Sequence, residues 1–222
     1  MGYSLDFSWL GDALSLIGSG ALMTIFLIVT SAFFGTFISI VGAAGRRSRL
    51  AVIRNAVASY VELIRNTPFL AQLFFIYFGL PSLGLRLDPV TSAILAMTVN
   101  LAAYGIEIVG AGLDAVPVGQ REAGRSLGLR PTQIFVKIVL PQALKVIFPA
   151  LTSQIVITML ESAAVSQIAV RDLTYEADML QARTFRSFET YLVVTLVYLL
   201  LSVVLRRLML AGDRRFLPAR IR

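Results

Sequence analysis

The chain contains no cysteine and no histidine. Disulfides, thiol nucleophiles, histidine proton relays and the usual zinc sites are excluded together, and neither a catalytic residue nor a metal site is expected. Charge is scarce as well. Only 15% of the 222 residues are Asp, Glu, Lys or Arg, and none of these falls between positions 13 and 45. No Gly-Lys pair occurs, so the glycine-rich loop ending in Gly-Lys-Ser/Thr that cradles nucleotide phosphates is missing. The acids Glu62, Glu107 and Glu161 are scattered, which argues against an integral membrane enzyme built on paired carboxylates. The internal repeats typical of secondary transporters are not evident.

What is abundant is apolar surface. Hydrophobic residues make up 57% of the chain, against about 45–50% in soluble domains. A helix needs roughly 20 apolar residues to cross about 30 Å of hydrocarbon. The runs predict about five spans, at residues 20–41, 60–80, 90–113, 146–165 and 188–208, in one all-α integral membrane domain covering 1–222 and embedded in lipid. A cleavable signal peptide fits poorly, because positions 1–12 hold Asp6 and Asp12 and no Lys or Arg.

The net charge of +7 would suggest nucleic acid in a soluble protein. Here the positions of the charges decide. Basic residues follow span one (Arg46, Arg47, Arg49, Arg54), span three (Arg121, Arg125, Arg130, Lys137, Lys145) and span five (Arg206, Arg207, Arg214, Arg215, Arg220, Arg222). Lys and Arg flank the cytoplasmic ends of spans. The expected topology is therefore N-terminus outside and C-terminus inside, with residues 115–145 in the cytoplasm and no nucleic-acid partner. Residues 166–187 are too polar to span and predict a helix on the outer surface.

The 115–145 segment predicts a helical hairpin. Its first helix runs from about Pro117 to Leu127. Gly128 suits the left-handed stop and Pro131 the first position of a second helix, which carries Ile134, Val136, Ile138 and Leu140 until Pro141 interrupts it. A merely basic topogenic loop would not need this order of Gly and Pro.

Glu122-Ala123-Gly124, then Gly128, then Ile138 and Leu140-Pro141, resembles the EAA loop of ABC importer permeases in spacing throughout. Tyr60 to Pro68 followed by Gln72-Leu73-Phe74-Phe75 is similar to the second-span signature of polar amino acid permeases of the histidine/glutamine type. So are Ala103-Tyr104 with Glu107, Val116-Pro117 with Gly119-Gln120, Leu140-Pro141-Gln142-Ala143-Leu144, and Arg183-Thr184-Phe185.

The resemblance covers about residues 20–210. It implies a type I ABC importer transmembrane domain in a bacterial inner membrane. It implies import, a cytoplasmic ABC ATPase dimer that binds the ATP and Mg, a second permease subunit (identical or paralogous), and an extracytoplasmic solute-binding protein. No cofactor is then expected in this chain. The loop residues Glu122, Ala123, Gly124, Leu127, Gly128, Ile138, Leu140 and Pro141 are those the resemblance assigns to ATPase coupling. Three stretches depart from the family. Gly124 stands where Ala is usual, which lowers helix propensity by about 1 kcal/mol. Gly110-Ala111 replaces an Arg-Gly pair, and Leu160 to Ala164 replaces a Lys-containing polar step.

Polar groups inside spans are costly, about 2.5–3.5 kcal/mol for a central charge, and face protein or water. Arg65, Asn66, Thr67, Asn100, Glu107, Gln154, Thr158, Glu161 and Ser162 are the candidates for a substrate path or gate, with Glu62 and Gln72 nearby. Glu62 and Arg65 are three residues apart on one helical face and are expected to pair. Pro68 interrupts span two, as in transporters that place broken helices at the path. Glu161, if it meets solute, favours a cationic group: a basic or zwitterionic amino acid, or a derivative such as an opine or betaine-like compound.

Overall fold

The computed structural model describes residues 4–216, and side chains through Ala211. The described residues form helices and no strands. They are α1 (Leu10–Arg46), α2 (Ala51–Arg65), α3 (Phe69–Phe74), α4 (Pro89–Asp114), α5 (Val118–Ser126), α6 (Pro131–Ile134), α7 (Leu140–Glu161), α8 (Leu173–Thr184) and α9 (Ser187–Phe216). Wide π turns at Phe75–Gly79 and Phe135–Val139, and tighter 3₁₀ turns at Leu80–Leu83 and Ser162–Ile168, extend α3, α6 and α7.

The core is built on α4, which lies between α1 and α7. Ser31 Oγ donates to Ile94 O, Ser39 Oγ to Ala102 O, and Arg47 to Gly110 O, each pair 63 residues apart. A constant separation means that α1 and α4 run parallel. Small residues permit the close approach. Ser31, Gly35, Ser39 and Ala43 repeat every fourth position of α1 and are buried. A Cβ on Gly105 of α4 would sit 2.0 Å from Ser39 Oγ. On the opposite side α7 is antiparallel: Gly112 abuts Ile147, and Gly105 faces Leu151. Leu27, Leu73, Met97, Leu101, Met159 and Val165 fill the space between. The outward faces of α1 and α9 carry Phe33, Phe37, Leu196 and Leu200, exposed as lipid-facing residues are.

Helix lengths depart from the predicted spans. Helix α1 has 37 residues, about 55 Å at 1.5 Å per residue, well beyond positions 20–41. The fourth helical stretch runs unbroken from Pro131 to Ile168, so the second half of the 115–145 segment belongs to a long helix rather than to a loop. Pro141 does not interrupt it. The π turn directly before Pro141 opens the ladder where a proline ring would collide with the carbonyl four residues back. The last helix spans Ser187–Phe216, longer than 188–208.

Span two is the largest departure. Four helices among the described residues are long and apolar enough to cross a membrane; a fifth crossing exists only if Ala51–Arg65 and Phe69–Leu83, bent by 109°, are taken together. The break at 66–68 is Pro68's: it donates no N–H and keeps Thr67 out of the helical region. Since α1 and α4 are parallel, this bent pair carries the chain back along the bundle.

The segment predicted as an outer surface helix is instead partly built in. Leu173, Glu176, Ala177 and Leu180 of α8 are buried against α1 and α9. Asp172 caps α8 by accepting from Tyr175 N at 2.9 Å, and Gly20 lets α1 touch the backbone there.

Candidate functional site

Two regions bring the candidate residues together. The first is the hairpin of α5 and α6. Gly128 takes φ +74°, and the ending is a Schellman motif: Leu129 N donates to Gly124 O at 3.1 Å and Gly128 N to Arg125 O at 2.9 Å. Arg130 and Gln133 start the next helix, with Arg130 N donating to Gln133 Oε1 at 2.9 Å and Pro131 in the first turn. The hairpin is fastened to the bundle. Gln142 Nε2 of α7 donates to Gln120 Oε1 of α5 and to Ile138 O. Arg121 Nη2 caps Leu113 O at the end of α4, 2.8 Å away. Arg121 is thus turned inward rather than forming part of a basic outer face.

Of the coupling candidates, Glu122, Ala123, Leu127 and Gly128 are exposed, Leu127 by 79%. Gly124 is buried beneath them; a Cβ there would lie 3.0 Å from Ile134 Cγ1 and Ile138 Cδ1. Its missing methyl is filled by isoleucines of the second helix, so it packs the hairpin together. Ile138, Leu140 and Pro141 are half-buried at the π turn and its junction with α7.

The second region is the elbow between α2 and α3. A cavity of about 390 Å³ is lined by Arg46, Glu62, Arg65, Asn66, Tyr104 and Glu107, among others. Glu107 pairs with Arg46 of α1 and, at 3.3 Å, with Arg65. Arg65 also lies over the Tyr104 ring, 5.4 Å from its centroid. The expected pairing of Arg65 with Glu62 is replaced: at its helix end Arg65 reaches across to α4, where an acid is presented between two guanidinium groups. Asn66 and Thr67 are exposed at the bend and bond back to Glu62 O and Leu63 O of α2. Asn100 is 3% exposed and donates to Gln72 Oε1 at 3.0 Å. Its Oδ1 is buried with no hydrogen-bond partner. Asn100 is therefore a packed link between α4 and the elbow.

The remaining candidates lie on α7 and its 3₁₀ extension. Gln154, Thr158 and Ser162 are buried, and Glu161 is half-buried. Thr158 Oγ1 and Glu161 Oε2 are buried without a hydrogen-bond partner, and Ser162 bonds its own helix at Met159 O. Glu161 does not line the 390 Å³ cavity. Arg46 and Tyr104 do, although Arg46 reads in the sequence only as a charge fixing topology. The 63-residue register between α1 and α4 is the signal that would have placed it beside Glu107.

Comparison with known proteins agrees with this architecture. The family model described as binding-protein-dependent transport system inner membrane component matches residues 35–218. The probable glutamine ABC transporter permease protein GlnM of Bacillus subtilis (strain 168) is 40% identical over 66% of this chain and 68% of its own length. The arginine transport system permease protein ArtQ of the same organism is 32% identical over 96% and 97%. The glutamine transport system permease protein GlnP of Escherichia coli (strain K12) is 31% identical over 95% and 97%. The crystal structure of an amino acid ABC transporter with histidines superposes with TM-score 0.89 at 35% identity, covering 96% of this chain and 100% of that one. The chain belongs to the family of binding-protein-dependent transport system inner membrane components, and is a multi-pass transport permease rather than an enzyme.

Proposed function

We propose that the chain is the permease subunit of an ABC importer for a basic or polar amino acid, coupled to a separate ATPase through α5. The carrying observation is the construction of the hairpin. A short helix closed by a Schellman motif exposes Leu127 and Val118, 79% and 67% accessible, at the end of a 38-residue helix that runs into the core. Large apolar side chains held outward on a rigid polar helix suit a protein partner. Displacement of α5 reaches α4 and α7 directly through Arg121 and Gln142.

The ATP and Mg belong to that partner, an ABC ATPase dimer in the cytoplasm. A second permease subunit completes the path, and an external solute-binding protein delivers solute. The N-terminus is outside and the C-terminus inside. The amino-acid class is supported by relatives named for glutamine and arginine transport. Glu161, with one unbonded carboxylate oxygen beside Thr158, is the group we assign to a cationic part of the solute.

Gly128→Val tests the coupling role. Any side chain is strained at φ +74°, a β-branched one most. Expected is loss of ATPase co-assembly and uptake with the permease still inserted in the membrane. Undiminished uptake overturns the assignment. Glu161→Gln is expected to change solute preference or solute-stimulated ATP hydrolysis; unchanged kinetics for a panel of arginine, histidine, glutamine and an opine removes Glu161 from the path.

A further inference from the structure

We propose that Gln72 is a positioning residue that sets the elbow of the broken span, and that Asn100 keys this elbow to α4, so that transport depends on the pair. The elbow starts from Pro68. A proline has no N–H, so the Ile64 carbonyl four residues earlier loses its usual helical donor. The chain leaves the helix at Asn66, which frees the Thr67 carbonyl too. Ile64 is half-buried and Thr67 exposed, and Thr67 N reaches Ile64 O only at 3.4 Å, so both carbonyls gain from a further donor at the bend.

Gln72 meets both. Its Nε2 lies 2.8 Å from Ile64 O, 3.0 Å from Thr67 O and 2.9 Å from Thr67 Oγ1. Its Oε1 accepts from Asn100 Nδ2 at 3.0 Å. Both side chains are nearly inaccessible, at 8% and 3%. Gln72 stands on α3, its amide nitrogen caps the end of α2, and its oxygen touches α4. One amide therefore joins the two arms of the elbow to the central helix. The bonds of Asn66 and the hydroxyl of Thr67 to Glu62, Leu63 and Ile64 stay on the α2 side. The cavity lined by Arg65, Asn66 and Glu107 adjoins this elbow, so a change of elbow angle moves its wall.

The natural chain has no cysteine, so spin labels can be placed at will. Labels at Ile53 and Phe78, both exposed and one on each arm, report the elbow angle in the purified full-length permease in nanodiscs. A pair at Phe78 and Leu95 reports the elbow against α4. Gln72→Met keeps the side-chain length and removes all four bonds. It is expected to broaden the 53–78 distance distribution. In the complex with the ATPase it is expected to lower the maximal rate of ATP hydrolysis at unchanged KM for ATP, by up to about a hundredfold for a misplacement of about 1 Å.

Asn100→Leu removes only the key. The 53–78 distribution is then expected to stay narrow while the 78–95 distribution broadens, with the same loss of hydrolysis. A general loss of stability lowers yield in both variants and does not separate the two distances. Unchanged distances in Gln72→Met, or unchanged hydrolysis with broadened distances, overturn the proposal. The distances need no partner chain, so failure to assemble with an ATPase counts against the coupling role and leaves the elbow to be decided by spectroscopy.

Discussion

Arg65, the last residue of α2, holds Glu107 of α4 at 3.3 Å while its guanidinium lies over Tyr104. Arg46 of α1 contacts the other oxygen of the same carboxylate. Three helices thus meet on one acid. All three side chains are more than a third exposed, so screening keeps each pair to about 1 kcal/mol or less. Glu107→Gln leaves two guanidinium groups facing one neutral amide. The expected loss is about 1 kcal/mol, measured by denaturant titration in detergent. Arg65→Met combined with Glu107→Gln is expected to cost less than the sum of the single changes, because the second change removes one of the stranded charges. Strict additivity would show that the pair does not interact.

Close packing of α1 on α4 yields a sharper prediction. A methyl on Gly105 collides with Ser39 Oγ at 2.0 Å and Cβ at 2.7 Å, and Ser39 is itself bonded to Gly35 O and Ala102 O. The serine has nowhere to turn without breaking those bonds. Gly105→Ala is expected to destabilise by about 1–3 kcal/mol, the usual scale of overpacking. Gly119→Ala, where nothing lies within 4 Å, is expected to be harmless. Equal thermal stability of the two variants would refute parallel contact along this stripe.

Length, apolar runs and the Gly/Pro order of the hairpin were legible because each is a local property. Gly128 and Pro131 take the conformations their chemistry demands. Pro68 announced a break but not its 109° angle, which depends on Gln72 reaching back over five to eight residues. Pro141 misled, because a preceding π turn removes the clash that normally ends a helix. Arg46 and Glu107 are 61 residues apart, and only the register between parallel helices joins them. The polarity of residues 166–187 suggested an exposed helix; the Asp172 cap and the side of α8 carrying Leu173, Ala177 and Leu180 bury one face of it.

Gly124 separates an internal role in the hairpin from a contact on the partner. Its hydrogen faces Ile134 and Ile138, whose Cγ1 and Cδ1 would lie 3.0 Å from an added Cβ and need give by only a few tenths of an ångström. Gly124→Ala is therefore expected to be accommodated, with the roughly 1 kcal/mol gain in helix propensity offsetting the repacking. Gly124→Val should part α5 from the second helix and lower hairpin protection in hydrogen exchange. If Gly124 instead met the partner directly, Ala would weaken ATPase assembly without changing that protection.

Asp172 predicts the pH response of the opposite end of the bundle. Burial pushes its carboxyl up to about 6, although Tyr175 N and Tyr198 Oη both bond to it. A carboxyl raised above its unfolded value of 3.8 holds more protons in the folded state between those two limits. Stability linked to it therefore falls as pH rises from about 4 through 6, and is fully lost above that. The size is on the order of 2–3 kcal/mol for a shift of about two units. Asp172→Asn mimics the protonated form, retains an oxygen to cap α8, and removes this slope. Thermal stability of the wild type is expected to decline between pH 4 and about 6 relative to Asp172→Asn, and to level off above that. Parallel curves for the two proteins would place the carboxylate in contact with water and not beneath α8.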